Sequence, residues 1–188
     1  MYKATRELIK ARQPFTNYVV EVVKVKQVGG LKPNNCLNNA HSLLSRKNGI
    51  KIVSGWFIEP YDPLNYIHKG VEIIQHWWNV DASGQHFDTT LSNHIGEYVV
   101  DMEIAEYARE HYDDIESTVA SSLLFTNNEF MKVNLDDDEI FLSDIPSLDT
   151  ENLYLPCNEA ANSNKHSITL LDYCLTRYQN QNIIKEAA

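Results

Sequence analysis

Two apolar segments constrain the fold more than anything else in this chain: IKIVSGWFIEP (50 to 60) and IIQHWWNVDASGQHFDTT (73 to 90). The first has the β-branched and aromatic density of a strand. The second is interrupted at DASG, a turn with glycine where the left-handed conformation is required, and so predicts two antiparallel strands. Alternation puts Ile74, His76, Trp78 and Val80 on one face and Gln75, Trp77 and Asn79 on the other. With ASG as a three-residue loop, Asp81 faces Gln85, and His86, Asp88 and Thr90 fall on the His76 face. Asp88 then lies opposite Trp78 and diagonal to His76, within reach of a side-chain hydrogen bond. A bulge or a four-residue turn would break that parity.

Such a sheet needs helices to cover it, and the flanks supply them. MYKATRELIKARQPF reads as a short basic amphipathic helix, and NYVVEVVKVKQV (17 to 28) as a strand followed by the loop GGLKPNN. CLNNAHSLLSRKNG reads as a helix that starts after Asn34 and Asn35 and stops at Gly49. A loop, YDPLNYIHKG (61 to 70), precedes the His76 strand. GEYVVDME (96 to 103) reads as a further strand. DMEIAEYAREHY is a helix with Ile104, Ala108 and His111 on one side, and a second helix is expected near 114 to 124. Residues 127 to 166 read as an irregular acidic arm with one strand, EIFLSD. SITLLDYCLTRYQNQNII closes the chain as an amphipathic helix bearing Ile168, Leu171, Cys174, Leu175 and Tyr178. The expectation is one α+β domain: a core over 1–125 and, over 126–188, an acidic arm and helix packing on it.

Charge is polarised. Residues 1–50 carry nine Lys/Arg against Glu7 and Glu21, and residues 101–150 carry fourteen acids against Arg109 and Lys132, within a net charge of −10. The basic residues are scattered, which favours mutual neutralisation of the two halves over a basic binding face. With no basic patch interleaved with aromatics, direct nucleic-acid binding is not expected. No apolar run approaches the roughly 20 residues of a membrane span, and the N-terminus lacks a secretory core, so a cytoplasmic protein without membrane attachment is expected. Cys36, Cys157 and Cys174 are too few and too dispersed for a disulfide framework or structural zinc.

Cys36 falls in the first turn of its helix, where unpaired backbone N–H groups favour a thiolate and can stabilise an oxyanion beside it. An aspartate holding one imidazole nitrogen of His76 would fix its tautomer and steady the imidazolium. Each residue alone is more often structural: a free cysteine as a small buried hydrophobe, a strand histidine as a solvated one. Cys157, in the polar arm, and Cys174, at core spacing, read as structural. A metal site built from Cys36, His41, His76 and His86 is disfavoured, because Cys36 and His41 do not share a helix face.

The order of the whole set resembles the core of the transglutaminase-like cysteine enzymes. The matching residues are Cys36, Ala40, Leu44, Arg46, Gly49, Ile50, Val53, Gly55 and Trp56, then His76, Trp78, Asp81, Gly84, Asp88 and Thr90. The resemblance spans residues 36 to 90 and neither flank. Thr89 stands where the family usually has proline, Phe87 precedes the aspartate, and the His-to-Asp segment is short. The resemblance implies a papain-like core with the cysteine helix packed on an antiparallel sheet. It implies a Cys36–His76–Asp88 triad acting through an acyl-thioester, without a cofactor. Gln27 and Asn35 are the candidate oxyanion donors. Trp56, Trp77, Trp78 and Tyr66 are candidates for lining the cleft, with at least one tryptophan expected to serve core packing alone.

The expected function is that of a thiol-dependent hydrolase or acyltransferase acting on a protein, a peptide or a small amide or acyl substrate. The competing expectation is a non-catalytic acidic binding or inhibitor protein. In that case the acidic C-terminal half mimics nucleic-acid phosphates or covers a basic protein partner, and the Cys-His-Asp fold is scaffold.

Overall fold

The computed structural model describes residues 1–13, 16–33, 35–46, 49–60, 70–90, 95–110, 122–133 and 148–155. Helix α1 (Lys3–Arg12) leads into strands β1 (Glu21–Val23) and β2 (Val25–Leu31), then α2 (Cys36–Ser42). Strands β3 (Lys51–Pro60), β4 (Val71–Val80), β5 (His86–Thr90) and β6 (Glu97–Val100) follow, then α3 (Glu103–Glu110), β7 (Ser122–Thr126) and β8 (Glu129–Val133). A turn of 3-10 helix covers Thr150–Asn152.

The fold is α+β, with short helices on an antiparallel sheet ordered β1-β6-β3-β4-β5-β2, in which, among the described strands, only the β2–β5 pair is parallel. Only Lys24 separates β1 from β2, so the two ends of this order are consecutive in sequence and the sheet curls into a half-barrel. The β3–β4 ladder sets the geometry: Gly55 is opposite His76, Val53 opposite Trp78, and Ser54 opposite Trp77. Opposed residues share a face. One face therefore carries Phe57, His76, Trp78 and, from β6, Tyr98, which is opposite Phe57. The other carries Ile52, Ser54, Trp56, Ile58, Ile73, Gln75, Trp77 and Asn79, all buried.

The second face is where helices attach. The Ser54 hydroxyl donates to the Asp101 carbonyl (2.8 Å) and accepts from the Ala105 backbone N–H of α3 (3.1 Å). Ile104, Ala105 and Ala108 are completely buried, as the helical pattern predicts for the first and last of them. Arg12 at the end of α1 reaches Asp101 with Nε at 2.7 Å and Nη2 at 3.3 Å, and Trp56 Nε1 donates to the same carboxylate at 3.0 Å. One basic residue of the front half thus meets one acid of the back half inside the protein. Met102 and the apolar side of α1, Ala4 and Leu8, complete this core.

Several boundaries differ from expectation. β2 continues through the GGL predicted as loop, because Gly29 and Gly30 adopt φ of 66° and 103° and absorb a register shift against β5. Regular helix after Cys36 ends at Ser42, with irregular turns through Arg46. The strand expected over 96 to 103 is limited to Glu97–Val100, since Glu103 already opens α3.

The helix expected near 114 to 124 is contradicted at its end, where Ser122–Thr126 is a strand paired to β4 and to β8. The arm expected over 127–166 likewise begins with β8, so the sheet runs through position 125 and past it. Leu153 bridges Ile52 at the far end of β3. The EIFLSD strand, the C-terminal helix, His111, the 61–69 part of the loop including Tyr66, Cys157 and Cys174 lie outside the described residues. Among the described residues, no helix is long and apolar enough to cross a membrane.

Candidate active site

The turn after β4 keeps the parity on which the site depends. The Asp81 backbone N–H donates to the Gln85 carbonyl (3.1 Å), and that of Gly84, with φ of 82°, donates to the Asp81 carbonyl (2.9 Å). Asp81 Oδ1 accepts from the backbone N–H groups of Ser83 and Gln85 and from the Ser83 hydroxyl. The Asp81 of the family-like pattern is therefore a turn residue. Val80 pairs with His86 and Asn79 with Phe87, so continuing the register places Asp88 opposite Trp78.

From there Asp88 Oδ2 reaches His76 Nε2 at 2.7 Å. Its carboxylate accepts twice more: Oδ1 from the Thr90 backbone N–H (2.8 Å) and Oδ2 from the Tyr98 hydroxyl (2.9 Å). Burial by itself would push the Asp88 carboxyl up. The hydrogen bond and positive charge of His76 outweigh it, aided by Thr90 and Tyr98, and hold the group below the usual carboxylate range.

Cys36 is the first residue of α2 and half-buried against the core. Two asparagines fix the helix in place. Asn79 Nδ2 on β4 donates to the Ala40 carbonyl (3.0 Å), and Asn39 Nδ2 donates to Thr90 Oγ1 (3.2 Å) and to the Lys32 carbonyl (2.7 Å). This anchoring leaves Cys36 close enough to His76 for its charge to act on the imidazole. Nε2 belongs to Asp88, so Nδ1 is the nitrogen left for sulfur. Burial would lower the His76 pKa. The negative charge of a Cys36 thiolate, with the bonds to Asp88 and Cys36 and the Asp88 charge, raises it instead to about 10. These influences favour the imidazolium form of His76 beside an ionised Asp88.

Aromatic rings surround the imidazole. Trp78 stacks on it at 6.2 Å with 19° between planes, Tyr98 meets it edge-on at 5.8 Å, and Phe57 lies 5.9 Å away. Trp78 is fixed in turn by its Nε1–H, which donates to His86 Nδ1 at 3.0 Å. Burial lowers the His86 pKa, and a neutral ring suits its acceptor role. Tyr154 packs edge-on against His86 at 5.4 Å. The donated hydrogen bond gives His86 a structural function, and among the described residues no group of His, Cys, Asp and Glu is placed to hold a metal.

The other candidates separate by face. Trp78 touches the His76 ring, whereas Trp56 and Trp77 are wholly buried on the helix-covered face and belong to the core. That corrects their reading as cleft residues. Parity decides it, because neighbours along a strand point to opposite sides. Gln27 pairs with Asp88 across β2 and β5, and its amide donates to the Tyr98 hydroxyl (3.3 Å). The Asn35 side-chain oxygen accepts from Asn38 Nδ2 (2.8 Å) and makes no bond to a helix N–H.

Tyr98 is the site residue that the sequence reading missed. Its strand was legible, but what brings β6 to Asp88 is the curling of the sheet. Comparison of the chain with protein-family models, with curated proteins and with solved structures finds no match in any of the three.

Proposed function

We propose that this protein is a thiol enzyme of transglutaminase-like type that cleaves or transfers an acyl group through Cys36, His76 and Asp88. The observation that carries the reading is an imidazole held by Asp88 on Nε2 at 2.7 Å and close enough to Cys36 to feel its charge. A polar strand face without chemistry has no need of a buried carboxylate with three donors behind a half-buried histidine and a thiol.

In the proposed reaction the Cys36 thiolate attacks the carbonyl carbon of an amide, peptide or ester, and the carbonyl π pair moves to oxygen. The Cys36 backbone N–H, which has no acceptor within its helix, is a donor for that oxyanion. His76 delivers its proton to the leaving amine or alcohol as the tetrahedral intermediate collapses to an acyl-thioester. The now neutral His76 takes a proton from water or an incoming amine, which attacks the thioester and expels Cys36 as thiolate. Asp88 remains ionised throughout and orients the ring. No cofactor enters this sequence.

The test is the rate of modification of Cys36 by a neutral thiol alkylator at pH 7, followed residue by residue by mass spectrometry. A thiolate paired with His76 should react at least about tenfold faster than an unstructured thiol peptide, since such a thiol is only a few per cent ionised at that pH. A Cys36 that reacts no faster than the peptide removes the proposal. An electrophilic acyl probe should then label wild type and leave Cys36→Ala unlabelled.

A further inference from the structure

Tyr98 has a hydrogen-bonding pattern that packing alone does not require. Its ring is 95% buried, lying against Phe57 (4.9 Å), Trp78 (5.4 Å) and His76 (5.8 Å). A phenylalanine would satisfy every one of those contacts. The hydroxyl nevertheless makes two directed bonds. The Gln27 amide nitrogen has only protons to offer, so the phenolic oxygen accepts there. The single phenolic proton is then committed to Asp88 Oδ2, the same oxygen that receives His76 Nε2. Gln27, Tyr98, Asp88 and His76 form one hydrogen-bonded chain drawn from β2, β6, β5 and β4, which ends beside Cys36 of α2.

We propose that Tyr98 is a positioning residue that acts on His76 through Asp88: its hydroxyl takes up part of the carboxylate's negative charge and sets how firmly the imidazolium is held. This inference rests on the function proposed above. The chemical need is specific. A histidine flanked by a thiolate and an undiluted buried carboxylate retains its proton, whereas the leaving group requires it to give that proton up. A donor on the far side of Asp88 weakens the carboxylate as an acceptor without moving it, since Thr90 still holds Oδ1. The Tyr98 hydroxyl cannot serve as the acid itself. Burial, followed by the Asp88 charge, raises its pKa beyond the usual phenol range.

The experiment is an NMR titration of the His76 ring carbons in wild type, Tyr98→Phe and Gln27→Met. In Tyr98→Phe the His76 midpoint should move upward by about one pH unit, the scale of a hydrogen bond to a charged group. Gln27→Met, which removes the bond orienting the phenol and leaves the phenol in place, should move it in the same direction by less. A Tyr98 that merely braced Asp88 would give the opposite sign, because a loosened carboxylate supports the imidazolium less. An unchanged or lowered midpoint in Tyr98→Phe therefore overturns the proposal. Two rates separate the steps: Cys36 alkylation at pH 7 should be undiminished in Tyr98→Phe, while acylation by a substrate with a poor leaving group should slow. The titration requires no turnover. A wild-type Cys36 that proved unreactive would remove the parent function, while the midpoints would still decide whether Tyr98 acts on His76.

Discussion

His76 and Asp88 are twelve residues apart, on neighbouring strands, and their Nε2 and Oδ2 atoms are 2.7 Å apart because a three-residue turn preserves strand parity between them. The carboxylate is nearly inaccessible to solvent while the imidazole is partly open, so the pair presents one face to a reactant and seals the other. Asp88→Asn keeps the shape and removes the charge. The His76 titration midpoint should then fall, and the Cys36 alkylation rate at pH 7 should drop by roughly tenfold or more, one pH unit of lost support being a factor of ten. An unaltered rate and midpoint would show that Asp88 does not support the histidine.

The linkage between His76 and stability has a definite sign. The folded-state pKa is raised from 6.5 to about 10, so the folded chain holds a proton that the unfolded chain releases. The stabilisation is whole below pH 6.5 and is lost as pH rises toward 10. Asp88 acts oppositely: its folded pKa lies below 3.8, so its contribution is whole above that value and disappears as pH falls through the folded pKa. Urea midpoints should therefore decline from pH 6.5 to 10. In Cys36→Ala the decline should be shallower and the His76 titration should move down, because the thiolate charge is gone. A wild-type midpoint that stays flat over that range would contradict the raised pKa.

What the sequence disclosed and what it withheld have physical causes. Alternation and one glycine turn are local, and they sufficed to put His76 and Asp88 on one face and Trp77 and Asn79 on the other. The β7–β8 hairpin was equally local but read as helix end and arm. LLFTNNEFMKV carries its turn at Asn127–Asn128, whose φ values of 51° and 68° fit the two-residue hairpin turns that asparagine tolerates. The acidic surroundings obscured that signal. Tyr98 and the Arg12–Asp101 pair were not legible, because each depends on contacts between segments 10 and 89 residues apart that only the curled sheet creates. Trp56 was a cleft candidate because composition marked it as aromatic and only register against β4 says which side it occupies, whereas alternation from His76 already turned Trp77 to the buried face.

Gly55 shows how the core supports the site. A Cβ there would lie 2.0 Å from the Val99 carbonyl oxygen and 2.7 Å from Trp78 Cη2, so the β3–β6 ladder and the ring beneath His76 both depend on its absence. Gly55→Ala should destabilise the protein by about 3 kcal/mol or more, at the upper end for overpacking, because one clash is with backbone. Gly84→Ala should cost about 1 kcal/mol, since nothing lies within 4 Å and only its φ of 82° is unfavourable. Urea denaturation of the two variants tests the contrast. Equal losses would mean that backbone conformation, not space, decides both positions.

The Arg12–Asp101 pair predicts non-additive stability changes. Both side chains are fully buried, and Asp101 Oδ2 also accepts from Trp56 Nε1. Arg12→Leu strands a carboxylate in the core and should cost about 3–5 kcal/mol, as breaking one half of a buried ion pair does. Asp101→Leu strands the guanidinium and should cost a similar amount. The double variant removes both charges, so it should be more stable than either single one. It should still fall short of wild type by about 1–3 kcal/mol, the penalty for leaving the Trp56 N–H without an acceptor. A double-mutant cycle in urea measures the coupling directly. Single losses that simply add would mean the two residues stabilise the fold independently, and the pair would then not be what ties α1 to the turn entering α3.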